Sequence, residues 1–387
     1  MRTIYLDYNA TTTLDAGVRE AMLPFLGDVF GNPSSIHHVG RRARSLLDAA
    51  RDRVATVWRS KPSEVVFTSG GTESNNLAIF GVARHLRSRG RHLVTSTIEH
   101  HAVLHCFDYL ERHEGFEVSR VPVDADGRVA VEAVRERLRP DTVLVSIMAA
   151  NNETGTRQPV PDIGALCRDR GVAFHTDAVQ WFGKEPFTDI HQFNADLVSL
   201  CAHKFHGPKG AGALFIRSPL LPDPILFGGG HENERRAGTE NLAAILGLTV
   251  AVEQFVRTPV FAPDCMSALT APLLAFADSL DGVTVQGTRV ERLANTVAVS
   301  VAGCDSIALL AGLDMEGVCA SSGSACSAGS LEPSHVLRAM GVAPELARSL
   351  VRFSVGRESS AADVAEVCRV FPTVIDRIRG VNRSNNL

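Results

Sequence analysis

The 387-residue chain contains no run approaching the ~20 apolar residues needed to span a bilayer, so no helical membrane anchor and no membrane partner are expected. Its opening, MRTIYLDYNATTT, lacks the apolar core of a secretory signal, and the expectation is a cytoplasmic protein. None of the eight cysteines are spaced as CxxC, and they do not cluster as zinc ligands would, so no metal centre is expected. In a reducing compartment their ordinary role is that of small buried hydrophobes. Nor is there an excess of one charge: 39 Lys and Arg stand against 43 Asp and Glu, a formal net charge of −4, which points away from direct nucleic-acid binding. The arginines, including Arg41, Arg42 and Arg44, read as solvated helix faces. Internal repeats and low-complexity tracts are also missing.

What is present is a long alternation of strand and helix patterns. A chain this long exceeds one domain of ~100–200 residues, so two domains are expected. Strands are predicted at Val65–Thr68, His92–Ser96, 142–148, 172–176, Leu197–Cys201 and Gly212–Ile216. Helical spacing lies between them, as in Leu77, Phe80, Ala83 and Leu86, with Thr72 as the expected cap. Helices are also expected over 102–112 and over 163–170, the latter ending at Gly171. This order predicts an α/β domain with a mostly parallel sheet flanked by helices. Past about residue 257 the pattern changes to strands at Thr296–Val301 and Leu350–Ser354 with helices at 265–280 and 361–378, a smaller α+β domain. The expected division is a large domain of 13–257, and a small one made of 1–12 and 258–387.

Ligands of such sheets are expected beyond the carboxyl ends of the strands, where several polar clusters fall. Gly70-Gly71-Thr72 before a helix offers backbone N–H groups, a helix dipole and a hydroxyl to an anion, although many such turns are only caps. Asp177 follows a buried strand and needs a cationic or hydrogen-bonding partner; a helix N-cap is the commoner fate of such a residue. Lys204, between a strand and a Gly/Pro-rich turn, is placed to be desolvated, which frees its amine for a Schiff base; Lys209 reads as a solvated loop lysine. Cys326, in SSGSACSAGSLEPSH, is set among small residues, the opposite of a core cysteine's setting and suited to an accessible thiolate.

Together the stretches YLDYNATT, GNPSSIH, FTSGGTESNN, IEHHAVL, ANNETGT, FHTDAVQ, SLCAHKFHGPKG, RRAGTEN, SSGSACSAGSLEPSHVLRAM and RFSVGR resemble the cysteine desulfurases of the nitrogen-fixation type, within the fold-type-I pyridoxal-phosphate (PLP) enzymes. The resemblance runs nearly end to end. It implies that Lys204 bonds to PLP, Asp177 pairs with the pyridine nitrogen, Gln180 and Asn152 lie near the ring hydroxyl, and His100 stacks on the ring. It further implies that Gly71, Thr72 and His203 hold the phosphate, that Thr239 reaches the phosphate site of the partner subunit in a homodimer, and that Arg357 binds the substrate carboxylate. Cys326, on an extended loop of about 321–333, becomes the sulfur acceptor. Tyr8, where many relatives have Asn, and Cys201, where the wider family has a phosphate-binding Ser, depart from the pattern. A thiol is the weaker donor.

The implied activity converts L-cysteine to L-alanine and leaves a persulfide on Cys326, which passes to an acceptor protein for iron–sulfur assembly, tRNA thiolation or DNA phosphorothioation. Lys204 and His100 would move protons, and His335 could assist the thiolate or serve as a structural contact. The alternatives are another class-V PLP enzyme, such as an aminotransferase or selenocysteine lyase, and a scaffold without cofactor.

Overall fold

The computed structural model describes residues 2–287, 291–323 and 332–384, with side chains described as far as residue 380. In chain order the strands are β1 (Ile4–Tyr5), β2 (Val65–Thr68), β3 (His92–Ser96), β4 (Glu117–Val121), β5 (Thr142–Ser146), β6 (Ala173–Asp177), β7 (Leu197–Cys201), β8 (Gly212–Ile216), β9 (Val283–Gln286), β10 (Thr296–Val301), β11 (Val318–Cys319) and β12 (Leu350–Ser354). The helices are α1 (Ala16–Met22), α2 (His38–Trp58), α3 (Gly71–His85), α4 (His101–His113), α5 (Val131–Arg135), α6 (Val160–Asp169), α7 (Leu242–Phe255), α8 (Pro263–Ser279), α9 (Ser306–Met315), α10 (His335–Ala339), α11 (Pro344–Ala347) and α12 (Ala361–Ser384).

Seven strands form the main sheet in the order β2-β8-β7-β6-β5-β3-β4. Its strands are parallel from β7 through β4, while β8 runs antiparallel between β7 and β2. Every residue of β2, β3, β5, β7 and β8 is buried, as near-continuous apolar runs require when helices cover both faces. Side chains still alternate between the faces. Val65, Phe67, Val94, Val145 and Phe215 join a core with Leu47, Val54, Trp58 and Leu248 from α2 and α7. Val66, Leu93, Leu144 and Leu214 join the opposite core with Leu77, Val82, Phe107 and Leu110 from α3 and α4. The edge strand β4 is half exposed and polar, which is why no apolar pattern marks it in the sequence.

A second assembly has its own core. The antiparallel sheet β12-β10-β9 and the parallel pair β1-β11 pack with α8, α9 and α12 around Leu6, Phe261, Val299, Leu313, Phe353 and Phe371. A smaller cluster, with Ile98 and Met148 from one side and Ala298, Val336, Leu337 and Leu350 from the other, joins the two.

Six strands fall residue for residue where the sequence predicts them. The strand expected at 172–176 is shifted by one, so Asp177 is the last residue of β6 and caps no helix. Thr72 is not the cap of α3, because the helix already begins at Gly71 and the preceding Gly70 takes that place. Gly171 follows the end of α6 with φ +65°, the left-handed conformation that glycine adopts freely.

One buried ion pair fixes the segment after β8 against the sheet. Arg51 of α2 grips both Glu232 oxygens, at 2.7 and 2.6 Å, and the same carboxylate accepts from the Phe67 N–H at 2.8 Å. Removing one partner leaves the other charge buried and alone. Glu232→Ala is expected to cost roughly 3–5 kcal/mol, read as a lower urea midpoint at unchanged slope. A loss under about 1 kcal/mol would mean the pair behaves as a surface one.

Candidate active site

A cavity of about 260 Å³ opens beyond the carboxyl ends of the parallel strands and is closed from below by the chain around Asn9. The sheet delivers its walls strand by strand. β6 ends in Asp177, β7 leads through a single helical turn to His203 and Lys204, and β2 leads into α3 through Gly71 and Thr72. The turn after β3 carries His100, and the turn after β5 carries Asn152. Of the residues predicted from the sequence, His100, Asn152, Gln180, His203, Lys204, Asp177, Gly71 and Thr72 all line this one space.

Lys204 donates to the main-chain oxygens of Asn9 and Ala10, each at 2.8 Å. Burial pulls its amine down from 10.5 to about 8, so a fraction is uncharged and nucleophilic near neutral pH. Asp177 is buried; it accepts from Asn75 Nδ2 at 2.6 Å and from the Val179 N–H at 3.0 Å. Among the described residues it has no ion-pair partner, so a buried carboxylate faces the cavity without a neutralising cation.

His100 caps α4, its Nδ1 accepting from the Ala102 N–H at 3.0 Å, so the neutral ring carries its proton on Nε2. Burial lowers its pKa, which favours the neutral ring. His203 is held by Thr11 Oγ1 at 3.1 Å, and burial brings it down to about 4. Gly71 has a steric reason: a Cβ there would lie 2.7 Å from Val179 Cγ2 and 3.6 Å from Cys201 Cβ. Only glycine lets the amino end of the 15-residue α3, with its free N–H groups, approach the ends of β6 and β7 so closely. Cys201 also lines the cavity, with a thiol that burial raises.

Two predicted residues lie elsewhere. Arg357 sits past the end of β12 with its guanidinium on Asp15 at 2.8 Å and on Glu358 at 3.2 Å, outside the cavity. The arginine in the cavity is Arg352, at the centre of β12 and 1% exposed. It donates to Asn152 O and Asp7 Oδ1, at 2.8 and 2.7 Å, and to Gly323 O. Its buried Nε has no partner among the described residues. Thr239 is exposed in a separate cleft beside Ser69 and Arg236. Cys326 lies outside the described residues. His335 begins α10 and its Nε2 pairs with Glu99 O at 2.9 Å, a structural contact.

Sequence reading missed Asn9, Asn75 and Arg352. The signal for Arg352 was there: an arginine in mid-strand among apolar neighbours must be buried, and a buried guanidinium needs partners or a ligand. Asn9 lay inside a quoted motif but carries no chemistry of its own to draw notice.

The donor set fits PLP. An amine of lowered pKa suits its aldehyde, an ion-unpaired buried carboxylate its pyridinium nitrogen, and a helix amino end with a hydroxyl its phosphate.

Comparison with known proteins gives a consistent result. The family model described as aminotransferase class-V matches residues 4–367. A cysteine desulfurase IscS of Dictyoglomus turgidum is 44% identical over 382 residues, covering 98% of this chain and 96% of the relative. A solved NifS-like protein is 36% identical with a TM-score of 0.87, covering 98% and 99% of the two chains. A structure of SspA in complex with cysteine is 36% identical with a TM-score of 0.81, covering 92% of this chain and all of the other. Among the described residues no helix is long and apolar enough to cross a membrane.

The lowered lysine pKa has a direct consequence. Without cofactor, labelling of Lys204 by a small amine-reactive ester is expected to rise with pH through a midpoint near 8, because only the free amine reacts. Peptide mass spectrometry across a pH series checks this; a midpoint near the ordinary 10.5 would show that the amine is not desolvated.

Proposed function

This chain belongs to the aminotransferase class-V family, from which, with its desulfurase relatives and the chemistry of its cavity, we infer that it is a PLP-dependent cysteine desulfurase. L-Cysteine is converted to L-alanine, and we propose that Cys326 receives the sulfur as a persulfide. One observation carries the reading: a free-amine-forming lysine, an ion-unpaired buried aspartate and a helix amino end converge on the cavity that Gly323 lines.

When bound, PLP supplies an electron sink for the charge that develops when the substrate Cα loses its proton. Lys204 is the base for that proton, since its amine is partly uncharged at neutral pH. Asp177 would hold a proton on the pyridine nitrogen, and Gln180 and Asn152 would hold the ring oxygen. His100 would hold one face of the ring, with a proton on Nε2 to give. Gly71, Thr72 and His203 would take the phosphate. Arg352, not Arg357, is the carboxylate anchor: it lines the cavity and has a buried N–H without a partner among the described residues.

Thiolate from Cys326 attacks the substrate sulfur. The S–S bond forms as the Cβ–S bond breaks; carbon keeps the electron pair, gains a proton, and L-alanine leaves. The persulfide then goes to an acceptor protein, for iron–sulfur assembly, tRNA thiolation or DNA phosphorothioation. A cytoplasmic homodimer, with Thr239 completing the phosphate site of the partner subunit, completes the reading. A division into a large domain of 13–257 and a small one of 1–12 with 258–387 belongs to the same reading, supported by the separate grouping of buried residues around Val299 and Phe353.

Alanine and sulfide release from L-cysteine with a thiol reductant tests this. Cys326→Ser is expected to lose turnover while keeping the visible absorbance of bound PLP. Arg352→Lys is expected to lower kcat/KM for cysteine by about 10–100-fold and Arg357→Met to change it little, since a charged hydrogen bond contributes ~1.5–3 kcal/mol. Full turnover by Cys326→Ser would move the activity to aminotransfer or lysis, and a loss with Arg357→Met equal to that with Arg352→Lys would return the anchor to Arg357.

A further inference from the structure

A second lysine lies buried under the cavity. Lys184 is 2% exposed, and its amine donates to Asn9 Oδ1 at 2.8 Å and to Gln180 Oε1. Both acceptors are neutral. The adjacent Glu185 carboxylate is taken by Arg157 at 2.7 Å. A buried amine is costly, and among the described residues no opposite charge in direct contact offsets that cost.

What the amine does is set the polarity of two carboxamides. A glutamine amide has an oxygen that accepts and a nitrogen with two hydrogens, and the two ends are nearly equal in shape. Here the oxygen of Gln180 is occupied by Lys184, and one hydrogen of Nε2 goes to Asn9 O at 3.0 Å. The second N–H is left for the cavity that Gln180 lines. Asn9 is fixed in the same way. Its Oδ1 takes Lys184 and Asn295 Nδ2, the latter at 3.1 Å, while its Nδ2 donates to Thr296 Oγ1 at 2.8 Å and Asn152 O at 3.3 Å. The main-chain oxygen of this same Asn9 holds Lys204.

We propose that Lys184 is a positioning residue: by occupying the carboxamide oxygens of Gln180 and Asn9 it makes Gln180 present a hydrogen-bond donor to the acidic ring oxygen of the cofactor. The inference rests on the PLP reading above. Burial, with Lys204 and Arg352 nearby, holds the Lys184 amine well below its ordinary pKa. Charged or neutral, it donates through the same N–H groups. Without it the Gln180 amide can rotate, turning a lone pair toward a ring oxygen that carries negative charge.

The test is a pH titration of the visible band of the PLP-bound enzyme. Lys184→Met is expected to keep its far-ultraviolet circular dichroism and bind PLP, with the pH midpoint of the band moved upward by about half a unit or more, because a ring oxygen deprived of its donor is more basic. Lys184→Gln, a polar replacement that guards against failure to fold, is expected to move the midpoint the same way by less. In a Gln180→Leu background, Lys184→Met is expected to add no further shift. An unchanged midpoint in whichever Lys184 variant folds would overturn the proposal. So would an undiminished shift in the Gln180→Leu background, which would make the lysine a remote charge. A wild-type protein with no visible band would overturn the PLP reading and this inference together, whereas a normal wild-type band confines any failure to Lys184.

Discussion

The site is organised by hydrogen bonds to a single asparagine. Asn9 lies in the short connection after β1, and both its main-chain and side-chain groups are taken: Lys204 and Gln180 on its carbonyl, Lys184 and Asn295 on its amide oxygen, Thr296 and Asn152 on its amide nitrogen. Its own N–H goes to Ser354 Oγ at 3.0 Å. Those partners come from both assemblies of secondary structure, so the amine, the amide lining the cavity and the seam between the two cores depend on one another. A buried polar network of this kind is tolerated only when its members are satisfied, and a substitution at its centre would strand several donors at once.

The charges around the cavity have a direction. Lys204, Lys184 and Arg352 converge from β7, the turn after β6 and β12; beyond the effect of burial, Arg352 lowers the proton affinity of both lysines, and Lys204 that of Lys184. Asp177, with no ion-pair partner among the described residues, lines the same cavity as Lys204 and Arg352. This arrangement of amines and a guanidinium suits a ligand that brings a phosphate and a carboxylate of its own. It also makes the lysine pKa a property of the whole arrangement: burial sets it first, and the carboxylates and Arg352 adjust it.

The sheet was legible because its strands are buried on both faces, which writes an unbroken apolar run into the sequence at Val65–Thr68, Leu197–Cys201 and Gly212–Ile216. β4 escaped notice for the converse reason, being a polar edge. Residues with reactive side chains at strand ends, Lys204, Asp177 and His100, were legible because their chemistry is visible in the residue type. Asn9 and Lys184 were not: an asparagine near the start of the chain and a lysine in a Gly-Lys-Glu turn read as surface until long-range packing buries them. Arg352 and Arg357 stand five residues apart in one motif. Only the position of Arg352 inside a strand, against Arg357 beyond it, separates the cavity residue from the exposed one.

The clamping of the chain's beginning by its far end bears on how the protein is made. Asn9 and Ser354 are 345 residues apart in the chain, and at ~5–20 residues per second a ribosome needs about 20–70 s to produce the second after the first. Through that interval Ile4, Leu6 and Tyr8 have been synthesised without the β12 and α12 residues that later cover them. The main sheet can form during this time from contiguous sequence, but the floor of the cavity cannot. Completion of the site is therefore a late, non-local event, and a nascent chain stalled before β12 would hold a folded sheet beside an unfinished pocket and an uncovered apolar segment, a natural substrate for chaperones.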